Sequence, residues 1–316
     1  MFMFARRFLA PLLAMLSLSA MADALPLLSR MVLDEEIDYT VQPDDILLAI
    51  GARIGIDYKL VARQNHIRNI NRIQAGRTLH IHNAHIVPDG MENGLLINIP
   101  QRMLFYLEPG YLMAAYPVGL GKPDWPTPEG KFQVYLLEMN KAWKVPESIQ
   151  EEMRREQKAV QEEVPPGPDN PLGAYWMGLT LWGYGIHGTI APSSIYDFRS
   201  HGCIRLHPDD IAELYDMVKK GVHGRLIYQP LLLAVDETGR LLLEVHPDIY
   251  QKGIDYAQRL RDMAEAYDLS QDIDWKLADE VISAQEGIAR QVGRTEAYWG
   301  HEAAEQTGLK AMRPPQ

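Results

Sequence analysis

Apolar residues change their spacing along this chain, and each change marks a structural boundary. Tyr39-Thr40-Val41 is a short strand signal and Pro43-Asp44-Asp45 a turn and helix start. Ile46, Leu47, Ile50 and Ile54 then recur near the 3.6-residue period of a helix. Tyr58, Leu60, Val61 and Asn65 suggest a second helix, and Gln74-Ala75-Gly76-Arg77 turns the chain into an apolar strand, Thr78-Leu79-His80-Ile81. The pattern predicts a small strand, helix, helix, strand unit over residues 36–85.

From Gly94 onward strand signals take over. Leu95 to Ile99 and Arg102 to Leu107 are short apolar runs, and Glu108-Pro109-Gly110 joins the latter to Tyr111 to Val118 in a hairpin. Another strand, Lys131 to Leu137, follows Thr127-Pro128-Glu129-Gly130. Short strands broken by Gly and Pro clusters predict a mainly β, sandwich or barrel-like body over residues 93–230. A charged stretch interrupts it at Glu147 to Glu163, read as a solvated helix or as a lid. Pro208-Asp209-Asp210 opens a helix with Ile211, Leu214, Tyr215 and Val218 on one stripe, and Arg225 to Tyr228 reads as a closing strand. Residues 231–316 predict a hairpin, Leu231 to Val235 with Arg240 to Val245. Two amphipathic helices near Ile254 to Tyr267 and Trp275 to Gln291 then form a C-terminal extension packed on the sandwich.

Composition narrows the function classes. In 316 residues, 47% hydrophobic content supplies at least one real core, and a formal net charge of -11 without a basic run argues against a nucleic-acid partner. At the front, Arg6 and Arg7 precede an apolar run from Phe8 to Ala20, followed by small residues at Ala20, Ala22 and Ala24. That order predicts a signal peptide over residues 1–24 and export to an oxidising compartment. The chain has one cysteine, Cys203. A lone exported cysteine is an inert filler, an intermolecular crosslinker or a working thiol, and its neighbours must decide.

Those neighbours are Ile186-His187-Gly188-Thr189 and Ser200-His201-Gly202-Cys203-Ile204-Arg205. A thiol with pKa near ~8.5 is mostly protonated at neutral pH and needs a histidine to accept its proton. His187 and His201 are both candidates; His201 shares a face with Cys203 if the segment is extended. Gly202 lets a carbonyl approach the backbone and leaves amides free for an oxyanion. A zinc set of His187, His201, Cys203 and His207 is a rival, weakened by the single residue between His201 and Cys203. His80, His82 and His85 read as exposed histidines at a strand end, with no cysteine or carboxylate at ligand spacing beside them.

Two resemblances follow from these residues. The 36–85 unit, with Tyr39-Thr40-Val41-Gln42-Pro43-Asp44-Asp45, Asn65 and its closing strand, resembles a LysM module; Asp44 stands where a glycine is usual. That resemblance implies binding to the glycan of peptidoglycan or chitin. His187-Gly188-Thr189 followed by Ser200-His201-Gly202-Cys203 resembles the motif of the L,D-transpeptidase (YkuD) family. The similarity extends over Gly121-Lys122-Pro123, Thr127-Pro128-Glu129-Gly130, residues 166–173 and Tyr184-Gly185-Ile186-His187-Gly188.

The family implies Cys203 as nucleophile, His187 as general base, His201 as a second active-site histidine and the Gly188 carbonyl as the group orienting the base. It also implies a substrate groove involving Ser200, Gly202, Tyr184 and Arg205. Arg205 stands where many members carry asparagine, and its guanidinium suits a stem-peptide carboxylate. The implied partners are peptidoglycan stem peptides and glycan, the C-terminal lysine of an outer-membrane lipoprotein, and carbapenem-type inhibitors. No metal or organic cofactor is implied. Three rivals stay open: water as acceptor, giving an L,D-carboxypeptidase; a papain-like peptidoglycan hydrolase, although there the cysteine precedes its histidine; and a non-catalytic wall-binding protein.

Overall fold

A computed structural model describes residues 26–296. The segment read as a signal peptide, residues 1–24, lies outside the described residues. No described helix is long and apolar enough to cross a membrane.

The first unit is built from β1 (Met31–Thr40), α1 (Leu47–Ile54), α2 (Tyr58–Gln64) and β2 (Thr78–Val87). Both strands run longer than the apolar pattern indicates, pairing antiparallel from Met31 opposite Val87 to Thr40 opposite Thr78. The first half of β1 carries Asp34, Glu35 and Glu36, so it offers no apolar alternation to read. Asp44 takes the left-handed backbone that a glycine would, with φ 69°, a conformation aspartate tolerates better than most residues. Asp57 caps α2 by accepting from the Lys59 amide at 2.7 Å, and Gly55 closes α1 in the left-handed region.

The central body comprises β3 (Gly94–Asn98), β4 (Met103–Glu108), β5 (Tyr111–Pro117), β6 (Leu120–Gly121), β7 (Gly130–Met139), β8 (Trp143–Lys144), α3 (Glu147–Arg155), β9 (Glu163–Val164), β10 (Tyr175–Leu179), β11 (Gly185–His187), β12 (Phe198–Ser200), β13 (Ile204–Arg205), α4 (Pro208–Met217) and β14 (His223–Ile227). Its eight-stranded sheet has the order β13-β11-β10-β7-β14-β3-β4-β5, the mainly β body that was expected. The strand read as closing, β14, instead sits in the middle, antiparallel to β7 and parallel to β3.

Strands β3 and β4 are buried on both faces, and their residues divide by the two-residue period. Leu95, Ile97, Leu104 and Tyr106 join a core with Ile186, Ile204 and Ile211. Leu96, Met103, Phe105 and Leu107 face the opposite way, against Ala52 of α1, Val87 of β2, and Ile195 and Tyr196. The first unit is therefore packed onto the back of the sheet and onto the loop that joins His187 to Cys203.

In the C-terminal part, β15 (Leu231–Val235), β16 (Arg240–Val245) and β17 (Arg290–Arg294) form a separate three-stranded sheet. Helices α5 (Tyr256–Ala266) and α6 (Trp275–Ala284) cover it through Leu260, Met263, Ala264 and Ala278. The expected packing of these helices on the sandwich is corrected: their apolar stripes are satisfied by their own sheet. The second helix is also shorter than its apolar pattern, because Gln285 turns left-handed and the chain leaves as a strand.

Candidate active site

The site lies at the edge of the large sheet, where two short parallel strands carry the motif residues. Ile186 pairs with Ile204 and His187 with Arg205. Continued by one residue, this register sets Cys203 beside Gly185, two positions from His187 and on the same face. Cys203 and His187 therefore face the same side of the strand pair, with no hydrogen bond joining Sγ to the imidazole.

His187 is buried. Its Nδ1 lies 2.7 Å from the Gly188 carbonyl oxygen, so Nδ1 carries the proton and donates, leaving Nε2 unprotonated. Trp176 stacks on the ring at 5.7 Å between centroids. Burial, helped by the Arg205 charge, pushes the pKa down to about 4, although the carbonyls of Gly188 and Leu172 oppose the shift. The imidazole is neutral at pH 7.

Cys203 is half-buried, and its Sγ lies 4.0 Å from the Gly183 carbonyl. Burial raises the thiol pKa, while a hydrogen bond with the Gly185 backbone and the charge of Arg205 pull it back. The resting pair is therefore thiol and neutral imidazole. The Arg205 backbone is held by reciprocal 2.8 Å bonds with Gly119, and its Nε has no hydrogen-bond partner among the described residues.

The turn before Cys203 departs from the extended geometry expected. Gly202 has φ 100°, and a Cβ there would meet the Tyr184 ring at 2.5 Å. Ser200 Oγ donates to the Cys203 carbonyl at 2.6 Å and accepts from the Gly202 amide at 3.1 Å. The Gly202 amide is thus taken, contrary to the expectation that it is free for an oxyanion.

His201 is directed elsewhere. Its Nε2 meets Glu152 of α3 at 2.5 Å, Lys122 Nζ meets the same carboxylate at 3.0 Å, and Trp125 sits edge-on to the ring. The charged insertion is therefore tied to the motif through Glu152, a residue the sequence reading did not single out. A helix inside a charge run carries no signal of which carboxylate turns inward.

Of the strand histidines, His80 is exposed as expected and His82 is half-buried. His80 pairs with Asp38 at 2.6 Å and His82 with Glu36 at 2.9 Å, both across β1. Those carboxylates are distant in sequence, so ligand spacing could not find them. His85 is buried rather than exposed, its Nδ1 at 2.9 Å from Glu244 of β16. Among the described residues no group of three or more histidine, cysteine or carboxylate side chains is arranged to hold a metal ion.

Residues 92–227 match the family model of the L,D-transpeptidase catalytic domain, YkuD, and residues 39–82 match the LysM domain. The chain is 28% identical to the probable L,D-transpeptidase YcfS of Escherichia coli over 92% of this chain and 93% of that one. It is 30% identical to a Bacillus licheniformis protein bearing the name L,D-transpeptidase YkuD, over 58% of this chain and 94% of the relative. A solved catalytic domain of the Enterococcus faecium L,D-transpeptidase, acylated by ertapenem, aligns at 26% identity with a TM-score of 0.34, covering 44% of this chain and all of that one.

Proposed function

The chain belongs to the L,D-transpeptidase family, and from that premise we propose that it acts in the periplasm on peptidoglycan tetrapeptide stems through a thioester on Cys203. The observation that supports this reading most is the pairing of β11 with β13, which brings the strand of the buried, neutral His187 against the segment that directly follows Cys203. Enzyme class and peptidoglycan substrate follow from the family.

In the first half-reaction Cys203 Sγ bonds to the carbonyl carbon between the third stem residue and the terminal D-alanine, and its proton passes to His187 Nε2. The C–N bond then breaks, and D-alanine leaves as an amine carrying that proton. In the second half an acceptor amine bonds to the thioester carbonyl, gives its proton to His187, and the C–S bond breaks to restore the thiol. Gly188 keeps His187 in the reactive tautomer. The Arg205 guanidinium, whose Nε has no partner among the described residues, would suit a substrate carboxylate, and Tyr184, Ser200 and Gly202 would lie beside the bound stem. The LysM-type unit would hold the glycan while the stem enters.

The acceptor is a second stem, giving a 3-3 crosslink, or the C-terminal lysine of an outer-membrane lipoprotein. The test is incubation with purified sacculi, with and without a lipoprotein C-terminal peptide, followed by mass analysis of muropeptides. New 3-3 dimers or peptide-linked muropeptides support transfer. Free tripeptide stems alone would replace it with hydrolysis, and an unchanged muropeptide profile would leave only wall binding.

A further inference from the structure

The C-terminal extension sends one side chain into the loop beside Cys203. Tyr250 lies on the segment between β16 and α5. Its hydroxyl donates to the Gly121 carbonyl at 2.7 Å and accepts from the Thr127 amide at 3.1 Å. Thr127 Oγ1 in turn donates to the Gly202 carbonyl at 2.9 Å and accepts from the Gly121 amide at 2.9 Å. We propose that Tyr250 is a positioning residue for the reaction, setting the Gly202–Cys203 peptide through Thr127; the inference rests on the reading of Cys203 as the acylated group.

The physical link is the planar peptide. Its C=O and N–H point in opposite directions in one rigid unit, so whatever fixes the Gly202 carbonyl also aims the Cys203 amide. That amide matters because Ser200 already occupies the Gly202 N–H, and an acyl-transfer oxyanion is stabilised by donors aimed before the reaction begins. Tyr250 is itself held in place. Its ring stacks on Tyr228 at 5.6 Å and meets Phe198 edge-on at 5.9 Å, and its backbone amide donates to the Tyr228 hydroxyl at 2.9 Å. Tyr228 is tied in turn to Asp248 at 2.6 Å. Tyr250 thus links the segment between β16 and α5 to the strand entering the cysteine turn through Phe198.

The test uses the full chain and its single cysteine. Acylation of Cys203 by a carbapenem and alkylation by iodoacetamide are timed by intact mass, with thermal midpoints recorded, for wild type, Tyr250→Phe, Thr127→Val and Thr127→Ser. Alkylation needs the thiol but no oxyanion donor. Tyr250→Phe and Thr127→Val should slow acylation at least ~10-fold, approaching the loss of one oxyanion donor, while alkylation and midpoint change little and Thr127→Ser retains the wild-type rate. Wild-type acylation in Tyr250→Phe, or equal slowing of both reactions with a fallen midpoint, overturns the role. If wild type itself resists acylation, the thioester reading fails. Hydrogen exchange over residues 200–204 then decides the positioning claim, faster in Tyr250→Phe supporting it and unchanged refuting it. Should Tyr250→Phe not fold, the Thr127 pair carries the same comparison.

Discussion

His187 and His85 are both buried, yet they have different partners and opposite pKa shifts. His187 donates to a peptide carbonyl, and burial drives its pKa down to about 4. His85 faces the same burial cost, but the charge of Glu244, its hydrogen bond to that carboxylate and a contact with the Gly55 carbonyl raise its pKa above the usual value. Glu244 is also buried; the charge of His85 and the hydrogen bonds of both histidines outweigh desolvation and hold its pKa down to about 2. His246 shares the same carboxylate at 2.7 Å, yet burial lowers its pKa. The Glu244 carboxylate thus favours the charged form of His85 and ties β2 to β16, whereas His187, on a peptide carbonyl, stays neutral with a nitrogen free for proton transfer.

The difference can be broken at either end. The largest effect is expected from His187→Gln, which removes the free nitrogen: acylation of Cys203 should slow by about 10²–10⁴-fold, with a thermal midpoint close to wild type. Stopped acylation assays beside thermal melts separate these, and a large loss of stability would mean that His187 is a structural residue. Glu244→Gln should do the reverse, costing about 3–5 kcal/mol in denaturant unfolding because a buried charge loses its partner, while residual folded protein still acylates. Loss of only a few tenths of a kcal/mol would show that the tie is not charged.

The pH profiles should diverge for the same reason. The resting His187 imidazole becomes protonated from solvent only below about pH 4, so the acid limb of the acylation rate should lie near that value and not near 6.5. An acid limb close to 6.5 would mean an ordinary, solvated base. For the tie, His85 titrates near ~6.5 when unfolded and higher when folded, so its contribution is complete below ~6.5 and declines as pH rises through the folded value. Glu244 is depressed, so its share is complete above ~4.3 and is lost only as pH falls through about 2. Thermal midpoints across this range should fall on the alkaline side in wild type, and Glu244→Gln should flatten that slope.

A smaller effect is expected at His201, which has a carboxylate but is half-exposed. Glu152→Gln should change acylation only several-fold, in keeping with a solvent-screened ion pair. Its larger signature should be faster hydrogen exchange across α3, freed from Lys122 and His201. A loss as large as that of His187→Gln would promote Glu152 from latch to essential group.

The contrast also explains what was legible in the sequence. Apolar spacing read the hairpin of β4 and β5, the hairpin of β15 and β16 and the helix opening at Pro208, because each lies within one stretch of chain and has one face to satisfy. The motif spacing singled out His187, Gly188, Ser200, His201, Gly202 and Cys203 together. Partners arriving from far along the chain left no local signal: Glu244 for His85, Glu152 for His201 and Tyr250 for the Thr127 loop. The central place of β14, read only as a closing strand, was not legible because alternation says what is buried, not which strands flank it.

The most direct test is the intact mass of the folded protein after exposure to a tetrapeptide stem or a carbapenem, with the modified peptide mapped. One acyl group on Cys203 in wild type, absent in Cys203→Ala and formed far more slowly in His187→Gln, is the predicted result. A folded wild-type protein with no adduct on Cys203 would contradict it.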